Sequence, residues 1–242
     1  MEVIKVDNLT KKIKGKIILN NLSFSIEKEK ITGIVGPNGA GKSTLIKTML
    51  GLYHINKGNI YINSYSIKKN LEKCLENIGC IIENPDMYNN LSGKKNIELY
   101  SKLNNANDLN YINKLISWSK LENRINDKVK TYSLGMKQRL GIVCALINKP
   151  KILILDEPTN GLDPFGIKEL REFLKLINKE MKITIILCSH MLEEMQKVCD
   201  EIIMIDNGKF IEKINVRELL EKNMSLEDIF IEKLHGSKGQ LR

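Results

Sequence analysis

The nine residues Gly36-Pro37-Asn38-Gly39-Ala40-Gly41-Lys42-Ser43-Thr44 carry the clearest chemistry in the chain, because they fit G-x-x-x-x-G-K-[ST], a pattern that grips phosphate. Each residue type has its own reason. Glycines at 36, 39 and 41 let the backbone adopt positive φ and come close to a ligand, so that successive N–H groups converge on phosphate oxygens. A helix starting near Lys42 would add its positive end, Lys42 can reach β- and γ-phosphates, and Ser43 offers a hydroxyl to Mg²⁺.

A second constellation lies more than a hundred residues on. The apolar run Lys151-Ile152-Leu153-Ile154-Leu155 ends in Asp156-Glu157-Pro158. Where a strand ends and the chain turns, adjacent carboxylates can both face the crevice in which open α/β sheets bind ligands. Asp156 would hold Mg²⁺, and Glu157 would polarise the water attacking a γ-phosphate. Phosphoryl transfer asks mainly for positioning and charge neutralisation, which such a pair supplies.

The elements that must position these groups follow from periodicity. Residues Val3 to Ile26 alternate around Lys14-Gly15-Lys16 as two antiparallel strands do. Ile31-Val35 is a β-branched run, a buried strand, and the spacing of Leu45, Ile46, Met49 and Leu50 predicts a helix from Lys42, stopped by Gly51. Further strands are expected at Gly58-Ile62 and Gly79-Ile82, with a helix over Leu71-Ile78. Residues 84–148 lose the β-branched runs and keep helical spacing, which reads as an inserted helical subdomain. Afterwards strands at Lys151-Leu155, Ile183-Cys188 and Glu201-Ile205 alternate with helices at Gly166-Lys179 and Met191-Val198. That rhythm predicts an α/β domain over 1–242 with a mostly parallel sheet and an N-terminal antiparallel β subdomain. Residues 216–242 form a C-terminal helical tail whose apolar stripe suits packing. Ser225-Leu226-Glu227-Asp228 resembles a capping box, and His235 to Arg242 are expected to fray.

Composition narrows the classes. With 242 residues, 42% in the apolar set and 28% charged, the chain can bury a sizeable core, which argues against global disorder. The formal charge of +9 suits a polyanion, whether nucleotide, nucleic acid or anionic membrane surface, and it also fits a merely Lys-rich composition. No apolar run approaches the roughly 18 to 20 residues that cross a bilayer, and no secretory segment is visible at the N-terminus. Cysteines at 74, 80, 144, 188 and 199 are scattered without a C-x-x-C pair, as reduced core residues would be.

Taken together, these residues resemble the ATP-binding subunit of an ABC transporter over nearly the whole chain. Thr159-Asn160-Gly161-Leu162-Asp163-Pro164 is similar to the family's D-loop, with Asp163 at its acidic position, and Cys188-Ser189-His190 places His190 where the family has its switch histidine. The family's Leu-Ser-Gly-Gly-Gln signature appears as Tyr132-Ser133-Leu134-Gly135-Met136, which keeps Ser133 and Gly135 and departs at Leu134 and Met136. Two further departures are Glu83, where a glutamine is usual, and Ile13, where an aromatic ring commonly stacks on adenine. Glu83 can still offer oxygen to Mg²⁺.

The resemblance implies a P-loop NTPase fold and a Mg²⁺-dependent ATPase. ATP would be held by the phosphate loop of one copy and covered by Ser133 and Gly135 of a second, in a head-to-tail sandwich dimer. Glu157, His190 and Lys42 would be catalytic; Ser43, Glu83 and Asp156 would face the metal; Asp163 would border the nucleotide. It also implies separate transmembrane permease subunits, reached through Glu83 to Tyr100, a place on the cytoplasmic face of the membrane, and no nucleic-acid partner. The motif forms look most like the branch that exports drugs or lantibiotic- and bacitracin-like peptides. Two other classes share the phosphate loop: a soluble relative acting on ribosomes or DNA, which usually fuses two nucleotide domains or inserts a coiled coil, and a small-molecule kinase, which needs neither signature nor switch histidine.

Overall fold

The computed structural model describes residues 1–238, with no account of side chains from residue 234 on. The chain divides into two compact units, Met1–Glu76 with Ile186–Arg242, and Asn77–Ile185.

The first unit opens with β1 (Glu2–Ile13) and β2 (Lys16–Glu27), a hairpin closed by the two-residue turn Lys14-Gly15. Both turn residues have positive φ, 47° and 81°, the geometry whose twist matches that of the flanking strands. β3 (Ile31–Val35) is buried at every position and leads through the glycine loop into α1 (Lys42–Met49), after which Gly51 takes a φ of 71°. β4 (Lys57–Ile62) pairs with β1, and β5 (Tyr65–Ser66) with β4, so the antiparallel sheet has the order β2-β1-β4-β5. α2 (Leu71–Leu75) is shorter than the spacing predicts, because Ile78 is taken up by strand pairing with Ile152.

The second unit holds β6 (Ile78–Ile81), α3 (Gly93–Leu103), α4 (Leu109–Trp118), α5 (Leu134–Leu146), β7 (Ile152–Asp156) and α6 (Pro164–Met181). β6 and β7 run parallel, and Gly79 lets β6 pack closely on α5, since a Cβ there would lie 2.3 Å from the Ala145 carbonyl oxygen. Between residues 84 and 148 the regular elements are helices, including short 3₁₀ turns at Glu122–Arg124 and Val129–Thr131. α5 is buried almost all round, so its sequence has little polar-apolar alternation to betray an orientation.

β8 (Thr184–Ser189) carries the chain back to the first unit, followed by α7 (Leu192–Val198), β9 (Glu201–Asp206), β10 (Lys209–Asn215), α8 (Val216–Glu221) and α9 (Leu226–Lys238). β9 lies parallel to β3, pairing Gly33 with Ile202 and Val35 with Met204, while β10 folds back antiparallel to β9. The buried runs of β3, β7 and β8 are apolar on both faces, as a parallel sheet covered by helices requires. At the start of α9, the Asp228 N–H donates to Ser225 Oγ at 3.0 Å, the first half of the expected capping box, while the Asp228 carboxylate accepts from the Ser225 hydroxyl at 2.6 Å, a side-chain contact where the box would use the Ser225 N–H. Of the expected frayed end, His235 to Lys238 continue α9, and residues 239–242 lie outside the described residues.

Candidate active site

In the first unit, packing dictates the glycines of the phosphate loop. A Cβ on Gly36 would stand 2.2 Å from the Ile205 carbonyl oxygen, so no side chain fits where the loop leaves β3. Gly39 and Gly41 have φ of 84° and 105°, which only glycine adopts without strain. Gly41 is the N-cap residue of α1 and offers no side-chain acceptor, so the first-turn N–H groups are left to an anion. The Ala40 N–H donates to the Pro37 oxygen at 3.1 Å and the Leu45 N–H to Gly41 at 2.8 Å, closing the loop onto the helix.

Lys42 is only 6% exposed, and its Nζ donates to the carbonyls of Gly36 at 2.8 Å and Pro37 at 3.3 Å. The ammonium is thereby drawn across the loop, where a polyphosphate would meet it. Asn38, Gly39 and Ser43 are exposed, Pro37 and Thr44 half-buried. His190, also exposed, follows β8 at a bend that Ser189 fixes, for the buried Ser189 Oγ accepts from the Met191 N–H at 3.1 Å.

The second unit collects the remaining residues. Asp156 ends β7 at 2% exposure, and the next residue, Glu157, is half-buried with a φ of 49°. The turn after it is knit by Asn160 N–H to Glu157 at 3.1 Å and Leu162 N–H to Thr159 at 3.2 Å. Asp163 then caps α6, accepting from the Gly166 N–H at 2.8 Å with Pro164 at the first helical position.

Ser133 caps α5 in the same manner, its Oγ accepting from the Met136 N–H at 3.2 Å, which leaves the hydroxyl proton to donate elsewhere. The two helix starts touch: a Cβ on Gly135 would be 3.5 Å from Gly166 Cα, and Leu134 would lie 3.1 Å from a Cβ on Gly161. Leu134, in place of the family's glycine, is accommodated because Gly161 has no side chain. Glu83 is exposed at a φ of 66°, and two residues on, Pro85 packs on α5 so tightly that a Cβ on Gly141 would be 2.5 Å from its ring.

Ser133 and Gly135 are thus brought beside Asp163, a proximity that spacing alone does not show. Also unforeseen is Arg139, one turn into α5, whose guanidinium pairs with Glu169 of α6 at 2.9 Å. Burial holds the pKa of Arg139 below its usual value, partly offset by the Glu169 carboxylate. The two residues lie on different helices, so no local spacing announces the pair.

The donor set can be tested against Mg²⁺. Ser43, Glu83 and Asp156 offer only oxygen, the hard donors that this ion takes. Among the described residues no three His, Cys, Asp or Glu side chains cluster as a metal cage. A cation held by one or two carboxylates and by phosphate fits that donor chemistry; a transition-metal centre does not.

Residues 19–160, more than half of the chain, match the sequence model of the ABC transporter family. The chain belongs to the ABC transporter family. Its ABC relatives include the ATP-binding protein YhcH of Bacillus subtilis, 45% identical over 89% of this chain and 71% of the relative. The bacitracin transport ATP-binding protein BcrA of Enterococcus faecalis is 38% identical over 91% and 72%, and the lantibiotic transport ATP-binding protein SrtF of Streptococcus pyogenes 40% over 94% and 96%. Among solved structures, the ATP-binding cassette MJ0796, a dimer in a post-hydrolysis state with ADP and Pi, superposes with a TM-score of 0.76 at 26% identity over 88% of this chain and 99% of that one. This ABC chain has the α/β fold of those cassettes, binds nucleotide, and is the ATPase component of a transporter. Among the described residues no helix is long and apolar enough to cross a membrane.

Proposed function

We propose that this chain powers export of a bacitracin- or lantibiotic-type peptide, or a similar drug, through separate membrane subunits. The observation that carries the reading is its 38% and 40% identity to BcrA and SrtF over more than nine-tenths of the chain. It would work at the cytoplasmic face of the membrane, with the segment from Glu83 to Tyr100 taking the permease.

Two copies would sandwich ATP head to tail. The loop amides of Gly36 to Thr44 and the Lys42 ammonium would hold the phosphates of one nucleotide, and Ser133 and Gly135 of the second copy would cover them, with Asp163 at the border. Mg²⁺, when bound, would neutralise charge on the β- and γ-oxygens; its protein donors would be Ser43, Asp156 and Glu83. The Glu157 carboxylate would orient the attacking water and accept its proton, while His190 would steady the γ-phosphate and Glu157. The MJ0796 dimer with ADP and Pi supports this reading by analogy.

The test has two arms. Glu157→Gln should bind ATP without turning it over and elute as a dimer on gel filtration, whereas a monomer with ordinary turnover would remove the sandwich. Expression with its permease should raise resistance of a sensitive host to bacitracin or a lantibiotic, and lose that effect on Glu157→Gln. No change in resistance to either would remove the cargo assignment.

A further inference from the structure

We infer that Gly208, in the turn joining β9 to β10, is a positioning residue for nucleotide binding, because its N–H fixes the orientation of the Ala40–Gly41 peptide in the phosphate loop. Asn207 and Gly208 form a two-residue hairpin between the paired residues Asp206 and Lys209, with φ of 46° and 71°. The tip is bonded on two sides. The Gly208 N–H donates to the Ala40 carbonyl at 3.0 Å, and the Gly208 carbonyl accepts from the Asn20 N–H at 2.7 Å.

Peptide planarity gives this contact a consequence. In a trans peptide the C=O of one residue and the N–H of the next point to opposite sides, and no peptide bond among the described residues is cis. With the Ala40 carbonyl turned onto Gly208, the Gly41 N–H faces the other way, away from the hairpin. Were the plane to flip, a carbonyl oxygen would be presented to the phosphate instead of a donor. The loop is held at both ends by the same hairpin, since Gly36 abuts the Ile205 carbonyl and Ala40 bonds Gly208. β2 backs the arrangement: a Cβ on Gly41 would be 2.7 Å from the Leu19 side chain, and one on Gly208 only 2.0 Å from the Ile18 oxygen and 3.0 Å from Leu19 Cα. Position 208 therefore has no room for any side chain, and its one functional group toward the loop is the amide.

The inference rests on nucleotide binding by the loop, so Lys42→Ala is measured alongside. Gly208→Ala should stay folded and lose about tenfold or more in affinity for trinitrophenyl-ATP, as loss of an aligned amide and a shifted loop require. Gly58→Ala is the comparison for strain: it has a φ of 75°, a Cβ there would be 2.2 Å from the Asn8 oxygen, and it bears on β1 rather than the loop. It should lower the melting temperature while leaving affinity within about twofold. Wild-type affinity in Gly208→Ala, or an equal loss in Gly58→Ala, would overturn the inference. Undiminished binding by Lys42→Ala would instead strike at the loop as the nucleotide site. Should Gly208→Ala fail to fold, hydrogen exchange on the wild-type protein decides. The Gly208 amide should exchange about tenfold more slowly with Mg-ATP analogue bound, since binding selects the bonded loop, and an unchanged rate would overturn the inference.

Discussion

Arg139 of the helix begun by Ser133 is paired with Glu169 of the helix begun by Asp163, Nη2 to Oε2 at 2.9 Å, with side chains 6% and 15% exposed. The same guanidinium donates through Nη1 to the Ser119 carbonyl at 2.7 Å, so one side chain ties the starts of α5 and α6 to the end of α4. Removing one member of a buried, hydrogen-bonded pair leaves the other without its counter-charge. Arg139→Ala is therefore expected to cost about 3–5 kcal/mol in urea unfolding. Arg139→Lys should recover little, because an ammonium cannot span both acceptors at once. A loss below about 1 kcal/mol, the range of exposed pairs, would show that the contact is not a structural tie.

Ser133→Ala separates two duties of one hydroxyl. As a cap it accepts from the Met136 N–H, worth about 1 kcal/mol of stability. As a donor toward the second copy's nucleotide it should matter far more to turnover, with ATPase activity falling about a hundredfold while the melting temperature drops by only a few degrees. Activity that falls no further than the stability loss explains would confine Ser133 to capping.

Glu83→Gln keeps an oxygen at the position and carries the same conformational demand, since both residues must accept the φ of 66° found there. Retained ATPase activity, within about tenfold of wild type, is expected if the side chain serves as a metal-facing oxygen. Complete loss would assign the carboxylate charge a role of its own.

The thiols give a check on packing. Cys80 is exposed and Cys74, Cys144, Cys188 and Cys199 are buried, with none in a disulfide. Burial pushes the Cys144 thiol up to about 12, so it stays protonated and unreactive at pH 8. A disulfide reagent should consume one equivalent rapidly in the native protein and all five after denaturation, and Cys80→Ser should abolish the rapid phase. Rapid labelling of Cys144 would contradict the packing of α5.

What could be read from the sequence was what local physics determines. β3, the glycine loop and α1 stand together because a β-branched run, positive-φ glycines and an amphipathic helix each announce themselves within a few residues. Asp156 is recognisable for the same reason, as the end of an apolar strand, whereas Asp163 is singled out only by the D-loop resemblance and its capping of α6 is visible only in the structure. β10 is not legible in the sequence because its interior residues are only half-buried, which blurs the alternation, although the Asn207-Gly208 dipeptide marks the turn before it. The overlong α2 arose because helical spacing through Ile78 competes with a long-range strand pairing that no window contains. The Arg139–Glu169 pair and the seat of Ala40 on Gly208 join residues far apart in sequence, so only folding brings them into view.

The bare contact between Gly135 and Gly166 has a mechanical consequence. At this point the two helix origins meet backbone to backbone, with the positive poles of α5 and α6 next to each other. A tug on either segment is therefore delivered to its neighbour with little slack, so the two helix origins move as one.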